Sequence, residues 1–393
     1  MFNMSAMARF GRIAGTGFIL LAACLSAAAQ TAFYTADASQ ISGGAPGSLI
    51  HNSREQASAY GATKYLVLYR STGLTGESIA VSGMVFVPPG QMPEGGWPIV
   101  AWAHPTSGLV PKCAPSMAAG GTDQVQGLEA LLQQGYVVTA TDYPGLGTQG
   151  PHPFLVGESE GRAVLDSIRA ARELIGGKSP HAALWGHSQG GQAVLFAGEI
   201  AASYAPDIKL VGIGAAAPAT DLAALMKADA NTMGGYNLSA MALYAWSKVY
   251  GAPIDQVVAP EAIKTVDALA DTCLESIFDM PARYFDSRAL AHDYLTVPDI
   301  TAVEPWKGLM EKNSVGTLPT AIPVFLAQGT TDDTVPPDVT ADYMSRLCDA
   351  GSAVTMNILL GVGHLDTAKN SAPAFVNWLA SLDAGQAVTN NCP

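Results

Sequence analysis

Three stretches of this chain carry residue types whose spacing suits nucleophilic catalysis. The first is Gly186-His187-Ser188-Gln189-Gly190-Gly191, a G-x-S-x-G pattern preceded by the apolar run Ala182-Ala183-Leu184-Trp185 and followed by the helix-like stretch Gln192 to Ala197. A serine on so sharp a strand-to-helix turn is held at positive φ, with its Oγ clear of the sheet and the following N–H groups, led by that of Gln189, aimed at one point in front of it. That point can receive an oxyanion. A serine hydroxyl is a poor nucleophile until a histidine takes its proton, and the histidine needs a carboxylate to fix its tautomer. In chains with this turn the acid and then the histidine come downstream. Of seven histidines only His364 lies late enough, in Gly361-Val362-Gly363-His364-Leu365-Asp366, a glycine-loosened loop after the last expected strand. The turn Gly329-Thr330-Thr331-Asp332-Asp333-Thr334-Val335-Pro336 offers the carboxylate, with Asp332 as first choice and Asp333 as reserve. His187 is expected to point away and to move no proton, and Asp366 to support its own loop. A second oxyanion donor is expected from His104-Pro105-Thr106; Pro105 has no N–H, so His104 comes first and Thr106 second.

The elements that must hold these groups follow from apolar runs and turn residues. Ala62 to Tyr69 and Ile79 to Val87 read as strands joined through Ser71 to Glu77 and ended by Pro88-Pro89-Gly90, an antiparallel edge. Trp97 to Ala103 is a fully apolar strand leading directly to His104. Helical spacing over Thr122 to Gln134, a strand over Tyr136 to Thr141, helical spacing again over Glu158 to Leu174, the strand before Ser188 and another over Leu210 to Ala215 give the tempo of a mostly parallel sheet with helices on both faces. From 221 to 318 no strong strand occurs; Ala223 to Met226, Leu238 to Tyr250, Glu261 to Phe278 and Pro305 to Lys312 are helical in character. The sheet pattern then resumes with a strand over Ile322 to Gln328, a helix over Asp338 to Ala350, a strand over Ala353 to Leu360 and a closing helix over Ala374 to Leu382. The division expected is a signal peptide over 1–29, a first core part over 30–220 that opens with an irregular arm over Thr31 to Ser58, a helical cap over 221–318, and a second core part over 319–393.

The chain has 393 residues, of which 49% are hydrophobic and 13% charged, enough apolar side chain for a large interior and too little charge for disorder. Its formal charge is −13; loss of the first 29 residues, which hold Arg9 and Arg12 and no acid, would leave about −15. Phosphate backbones and anionic lipid are bound by clustered Lys and Arg that this chain lacks, so nucleic acid is not an expected partner. The apolar run Ile13 to Ala23 behind the two arginines, with small residues to Ala29, has the form of a secretory signal and is short for a membrane span. Cleavage after Ala27-Ala28-Ala29 is expected, with lipidation of Cys24 in Leu21-Ala22-Ala23-Cys24 as the other route. Cys113, Cys273, Cys348 and Cys392 remain, an even set that suits two disulfides in an exported protein, with three connectivities open. No C-x-x-C or Cys/His cluster points to zinc, and the chemistry calls for no metal or organic cofactor.

Trp102-Ala103-His104 with Cys113-Ala114-Pro115-Ser116, the turn Thr141 to Gly147, Gly157-Glu158-Ser159-Glu160-Gly161-Arg162 and the Ser188 turn together resemble the secretory lipase family of α/β hydrolases, over most of the chain from about Lys64 onward. The resemblance implies an α/β-hydrolase fold and an exported serine ester hydrolase, carboxylesterase or lipase, with Ser188, Asp332 and His364 as nucleophile, acid and base and the backbone of His104 and Gln189 as oxyanion donors. It also implies that the 221–318 insertion bears a lid and that Cys113 pairs with Cys273 and Cys348 with Cys392. The chain departs from the family pattern at His104, where a known lipase has an acidic residue, and at Pro105, where bacterial relatives often have glycine. Ser188 would attack an ester carbonyl, His364 would shuttle the proton and water would release the acyl-enzyme. Met241, Leu243, Tyr244, Trp246 and Phe278 are expected to form an apolar acyl site or else the core of the cap, which could touch a lipid interface transiently. A peptidase or acyltransferase on the same scaffold and a non-catalytic binding protein are the alternatives.

Overall fold

The computed structural model describes residues 32–393 except 56–59, 229, 231, 275–279 and 292–293. The signal expected over 1–29 and Cys24 lie outside the described residues.

A nine-stranded sheet runs through the described part of the chain in the order β1-β2-β3-β5-β4-β6-β7-β8-β9. The antiparallel edge consists of β1 (Leu49–Arg54), β2 (Thr63–Thr72) and β3 (Ser78–Val87). β3 meets β5 (Val137–Thr141) antiparallel, and β5 pairs parallel with β4 (Ile99–Ala103). From β4 through β6 (Ala182–His187), β7 (Leu210–Ala216), β8 (Val324–Gly329) and β9 (Val354–Leu359) every pairing is parallel. This is the mostly parallel α/β sheet that the alternation of apolar runs and helical spacing predicts. The expected irregular arm holds more structure than anticipated, a short helix α1 (Ala38–Ser42) and β1 itself. β1 is an edge strand whose last three residues are exposed, so its sequence lacks the alternation a half-buried strand shows.

The central strands are short, apolar and buried on both faces, and their side chains sort by parity. Val100, Trp102, Ala183 and Trp185 point to one core layer, Ile99, Ala101, Ala103 and Leu184 to the other. The second layer is covered by α3 (Gly157–Leu174) and α4 (Gln189–Tyr204), the first by α2 (Leu128–Gln133) and α11 (His364–Asp383). In the first layer Trp185 lies flat on Phe375 of α11, with ring centroids 4.4 Å apart. Gly214 makes room for that pair, since a Cβ there would fall 2.5 Å from the Phe375 ring.

Between β7 and β8 the chain forms α5 (Leu222–Ala228), α6 (Met233–Val249), α7 (Ile263–Ala270), α8 (Met280–Ala289) and α9 (Trp306–Asn313). This segment has its own apolar cluster around Leu243, Trp246, Val258, Leu269 and Trp306. It is fastened to the sheet domain by Trp246 Nε1 donating to Phe154 O at 3.0 Å, by Gln192 Nε2 donating to Asn313 O at 2.6 Å, and by a disulfide between Cys113 and Cys273. A second disulfide joins Cys348 in α10 (Pro337–Asp349) to Cys392. Both pairs are the ones the family resemblance implies.

Candidate active site

Ser188 stands between β6 and α4 at φ 58° and ψ −117°, the strained conformation its motif demands. Its N–H donates to Ala216 O at 2.9 Å, which fixes the turn to the end of β7. The flanking glycines serve close approach. A Cβ on Gly190 would lie 2.0 Å from Ala103 O, and one on Gly186 would lie 2.2 Å from Gly190 O. The helix can therefore start directly over the end of β4 only because both positions lack a side chain.

His364 is the first residue of α11, which begins ten residues earlier than the apolar pattern predicts. The glycine-rich turn before it and Pro373 within the helix hide that start in the sequence. His364 Nε2 lies 2.8 Å from Ser188 Oγ, and Nδ1 lies 2.9 Å from Asp332 Oδ2. Asp332 is 5% exposed, whereas Asp333 faces solvent. The other Asp332 oxygen, Oδ1, accepts from the N–H groups of Thr334 and Val335 at 3.0 and 2.8 Å, and Gln328 Nε2 donates to Oδ2 at 3.2 Å. Burial alone would push this carboxyl up, but the hydrogen bond and charge of His364 and the two backbone donors outweigh it and hold it below its ordinary range.

Contrary to expectation, the His187 ring turns toward the site. It lies 4.9 Å from the His364 ring, and its Nε2 donates to the backbone carbonyl of His364 at 3.0 Å. Burial pushes its pKa down to about 3, so it stays neutral beside His364.

Gln189 opens α4, so its N–H has no partner within the helix and is free to face the space before Ser188. The His104 side chain is turned inward, 2% exposed, with Nδ1 2.6 Å from Pro105 O and Nε2 3.3 Å from Asp142 O. Burial lowers its pKa to about 4, and its carbonyl accepts from Tyr143 Oη at 3.0 Å. Asp142 steadies the neighbouring turn: it accepts from Ser82 Oγ at 2.6 Å, from Ser116 N at 2.8 Å and from Ser116 Oγ. Its burial pushes it up to about 6. The sequence flagged this turn only as part of a resemblance; a buried aspartate whose serine partners come from β3 and from a 3₁₀ turn at 115–117 has no local signature.

A narrow cleft opens onto Ser188 and Gln189. Thr106 and Leu155 line it together with Leu222 and Leu225 of α5 and Leu238 of α6. The expected acyl-site residues sit elsewhere. Met241, Leu243 and Trp246 are at most 1% exposed within the 221–318 core, because α6 is surrounded there: Trp246 reaches Phe154 O and the Met241 sulfur meets Arg283 of α8. Tyr244 lies half-buried under Lys248, whose Nζ is 4.9 Å from the ring centroid, and Phe278 is outside the described residues. Among the described residues no group of three or more His, Cys, Asp or Glu is gathered as metal ligands would be.

The family model described as "Secretory lipase" matches residues 120–391. Among curated proteins, Lipase 10 of Candida albicans is 30% identical over 286 residues, 67% of this chain and 58% of that protein. This chain thus spans less than two thirds of that relative's length. The "Probable inactive lipase MT1628" of Mycobacterium tuberculosis is 26% identical over 83% of this chain and 74% of its own. Among solved structures, Candida antarctica lipase A in its closed state superposes with a TM-score of 0.75 over 92% of this chain and 87% of its own, at 20% identity, a likeness of fold. With an α/β-hydrolase sheet and a family match over most of its length, the chain belongs to the secretory lipase family.

Proposed function

We propose that this protein is an exported serine hydrolase of carboxylic esters. Ser188 Oγ attacks the ester carbonyl while His364 Nε2 takes its proton; Asp332 holds the histidine with Nδ1 protonated and stabilises it when charged. The Gln189 N–H and a second N–H from the His104–Thr106 turn receive the oxyanion. His364 gives the proton to the leaving alcohol, and water repeats the sequence on the acyl-enzyme. The observation that carries this reading is the unbroken hydrogen-bond chain from Ser188 through His364 to Asp332. It bears directly on the relative described as probably inactive, since here each member of the chain is present and within reach of the next.

The 221–318 segment acts as a cap, and its α5 and α6 leucines supply an apolar wall that suits an aliphatic acyl chain and a lipid or small-molecule ester. Export is supported by the two disulfides and by the arginine-then-apolar start of the chain.

A chain-length series of p-nitrophenyl esters, run with wild type beside Ser188→Ala, tests the reading. Loss of the nucleophile should lower kcat on the order of 10⁴-fold or more. Unchanged turnover in the variant would end this mechanism. Ester turnover absent in the wild type, with amide cleavage or acyl transfer present instead, would move the assignment to a peptidase or acyltransferase.

A further inference from the structure

Behind the Ser188 turn lies a carboxyl that the triad does not use. Glu160, in the first turn of α3, has no exposed surface. Its Oε1 accepts from Gln189 Nε2 at 2.7 Å and from Leu155 N at 3.0 Å. The second amide hydrogen of Gln189 points to His152 Nε2 at 3.1 Å. His152 Nδ1 lies 2.9 Å from Pro144 O, so a neutral ring protonated at Nδ1 satisfies both neighbours. The ring of His152 stacks near Tyr143, whose hydroxyl holds the carbonyl of His104. Leu155, which Glu160 pins through its N–H, has φ 54° and forms a wall of the cleft. One buried group thus touches the residue that offers the first oxyanion donor and the wall beside it, and reaches the second donor's turn through two rings.

We propose that Glu160 is a positioning residue for ester hydrolysis, clamping Gln189 and Leu155 so that the Gln189 N–H faces the oxyanion, and that it serves this role only while uncharged. The inference rests on the ester-hydrolase reading. Its Oε1 partners are an amide and a backbone N–H, neither of them a cation, and Oε2 makes no hydrogen bond to protein. An ionised Glu160 would put a buried negative charge beside the residue whose N–H must stabilise a developing one, in surroundings where such repulsion is poorly screened. The titratable groups around it offer no compensation. Burial keeps His152 and His104 neutral, with pKa values pushed down to about 3 and about 4, and raises the hydroxyls of Tyr143 and Tyr250, which Glu160 raises further. Glu158 on the same helix is acidic as well. Burial pushes Glu160 itself up to about 8, so it is protonated at neutral pH and ionises above it.

The test is kcat and KM for p-nitrophenyl butyrate from pH 6 to 10 in wild type, Glu160→Gln, Glu160→Leu and Ser188→Ala. Wild-type kcat should fall with an apparent pKa near 8. Glu160→Gln keeps an oxygen for both N–H donors and cannot ionise; it should rescue kcat to within about threefold at pH 7 and abolish the alkaline fall. Glu160→Leu should lower kcat about 10- to 100-fold at every pH with KM changed less than about threefold, as expected for a misplaced donor. An alkaline fall of the same midpoint in Glu160→Gln, or wild-type kcat in Glu160→Leu, would overturn the proposal. Should Glu160→Leu not fold, the Glu160→Gln profile decides alone. Activity surviving in Ser188→Ala would sink the ester-hydrolase reading, whereas loss there alongside an unaltered Glu160 series would sink only the clamp.

Discussion

Replacing Asp332 by asparagine tests the triad more sharply than removing it, because the surroundings dictate how the new amide must lie. Oδ1 of Asp332 accepts from two backbone N–H groups, those of Thr334 and Val335, at 3.0 and 2.8 Å. An NH2 group at that position would face two donors, whereas at the Oδ2 position it faces only the longer one from Gln328 Nε2 at 3.2 Å, so the oxygen of the substituted amide takes the Oδ1 place. The NH2 then occupies the place of Oδ2, 2.9 Å from His364 Nδ1. A donor there holds Nδ1 unprotonated and leaves the proton on Nε2, 2.8 Å from Ser188 Oγ, where a lone pair is required. The histidine is in place but in the wrong tautomer. Amide replacement of a triad carboxylate costs about 10⁴-fold in kcat, equivalent to about 5.5 kcal/mol of transition-state stabilisation. Steady-state kinetics on p-nitrophenyl butyrate at pH 7, with circular dichroism to establish that the variant is folded, measure this directly. A folded Asp332→Asn variant retaining more than about a tenth of wild-type kcat would refute the tautomer argument. Asp333→Asn, on the exposed neighbour, should stay within about twofold.

Gly190→Ala should cost about 3 kcal/mol or more and reduce the folded yield, because its Cβ would meet the Ala103 carbonyl at 2.0 Å, a backbone atom that cannot step aside; a thermal melt unchanged from wild type would contradict the close-approach account of the elbow. Stability should also depend on pH in a specific window. Glu160 and Glu199 keep protons up to about 8 and about 7 in the folded state, chiefly through burial, whereas the unfolded chain loses them near ordinary carboxyl values. Below about pH 6.5 this is offset by the buried neutral histidines 104, 152 and 187, which the unfolded chain protonates. Between about pH 6.5 and 8 the native state binds more protons than the unfolded one, so stability should fall as pH rises, by about 1.4 kcal/mol per unit for Glu160 alone. Thermal melts across this range should show the decline, and Glu160→Gln should flatten it above about pH 7, where Glu199 has already lost its proton; a Tm that rises toward pH 8 would contradict the burial argument.

The parts of this molecule that announce themselves in sequence are those whose local chemistry is restrictive. β4, β5 and β6 bury all their residues, so β4 reads as an uninterrupted apolar run and β5 and β6 as short runs broken only by Thr139 and Thr141 and ended by His187. The Ser188 turn needs glycine where two backbones nearly touch, which leaves a fixed spacing of small residues. What stays hidden depends on neighbours far along the chain. Met241, Leu243 and Trp246 lie on different sides of α6, which is buried nearly all round between 240 and 246, and whether such apolar residues meet an acyl chain or neighbouring helices is settled by tertiary contacts. α8 is polar enough that no periodic stripe marks it, and the stretch Thr122 to Gln134 reads as one helix although Gly127 at φ 81° separates a short 3₁₀ turn from α2. The inward turn of His187 and the burial of Glu160 are equally silent, since nothing in a pentapeptide tells which way a ring or a carboxyl will face.

The Cys113–Cys273 bond has a consequence for how a substrate gets in. Beside it Leu274 N–H donates to Ser107 O at 2.9 Å, riveting the end of α7 to the loop that borders the nucleophile. With Trp246 and Asn313 anchoring the rear, the roof over the serine cannot swing clear as a rigid door. On the ester-hydrolase reading, a substrate would then pass beside α5 and the leading turn of α6, the parts of the 221–318 segment that line the cleft and carry none of these three fastenings.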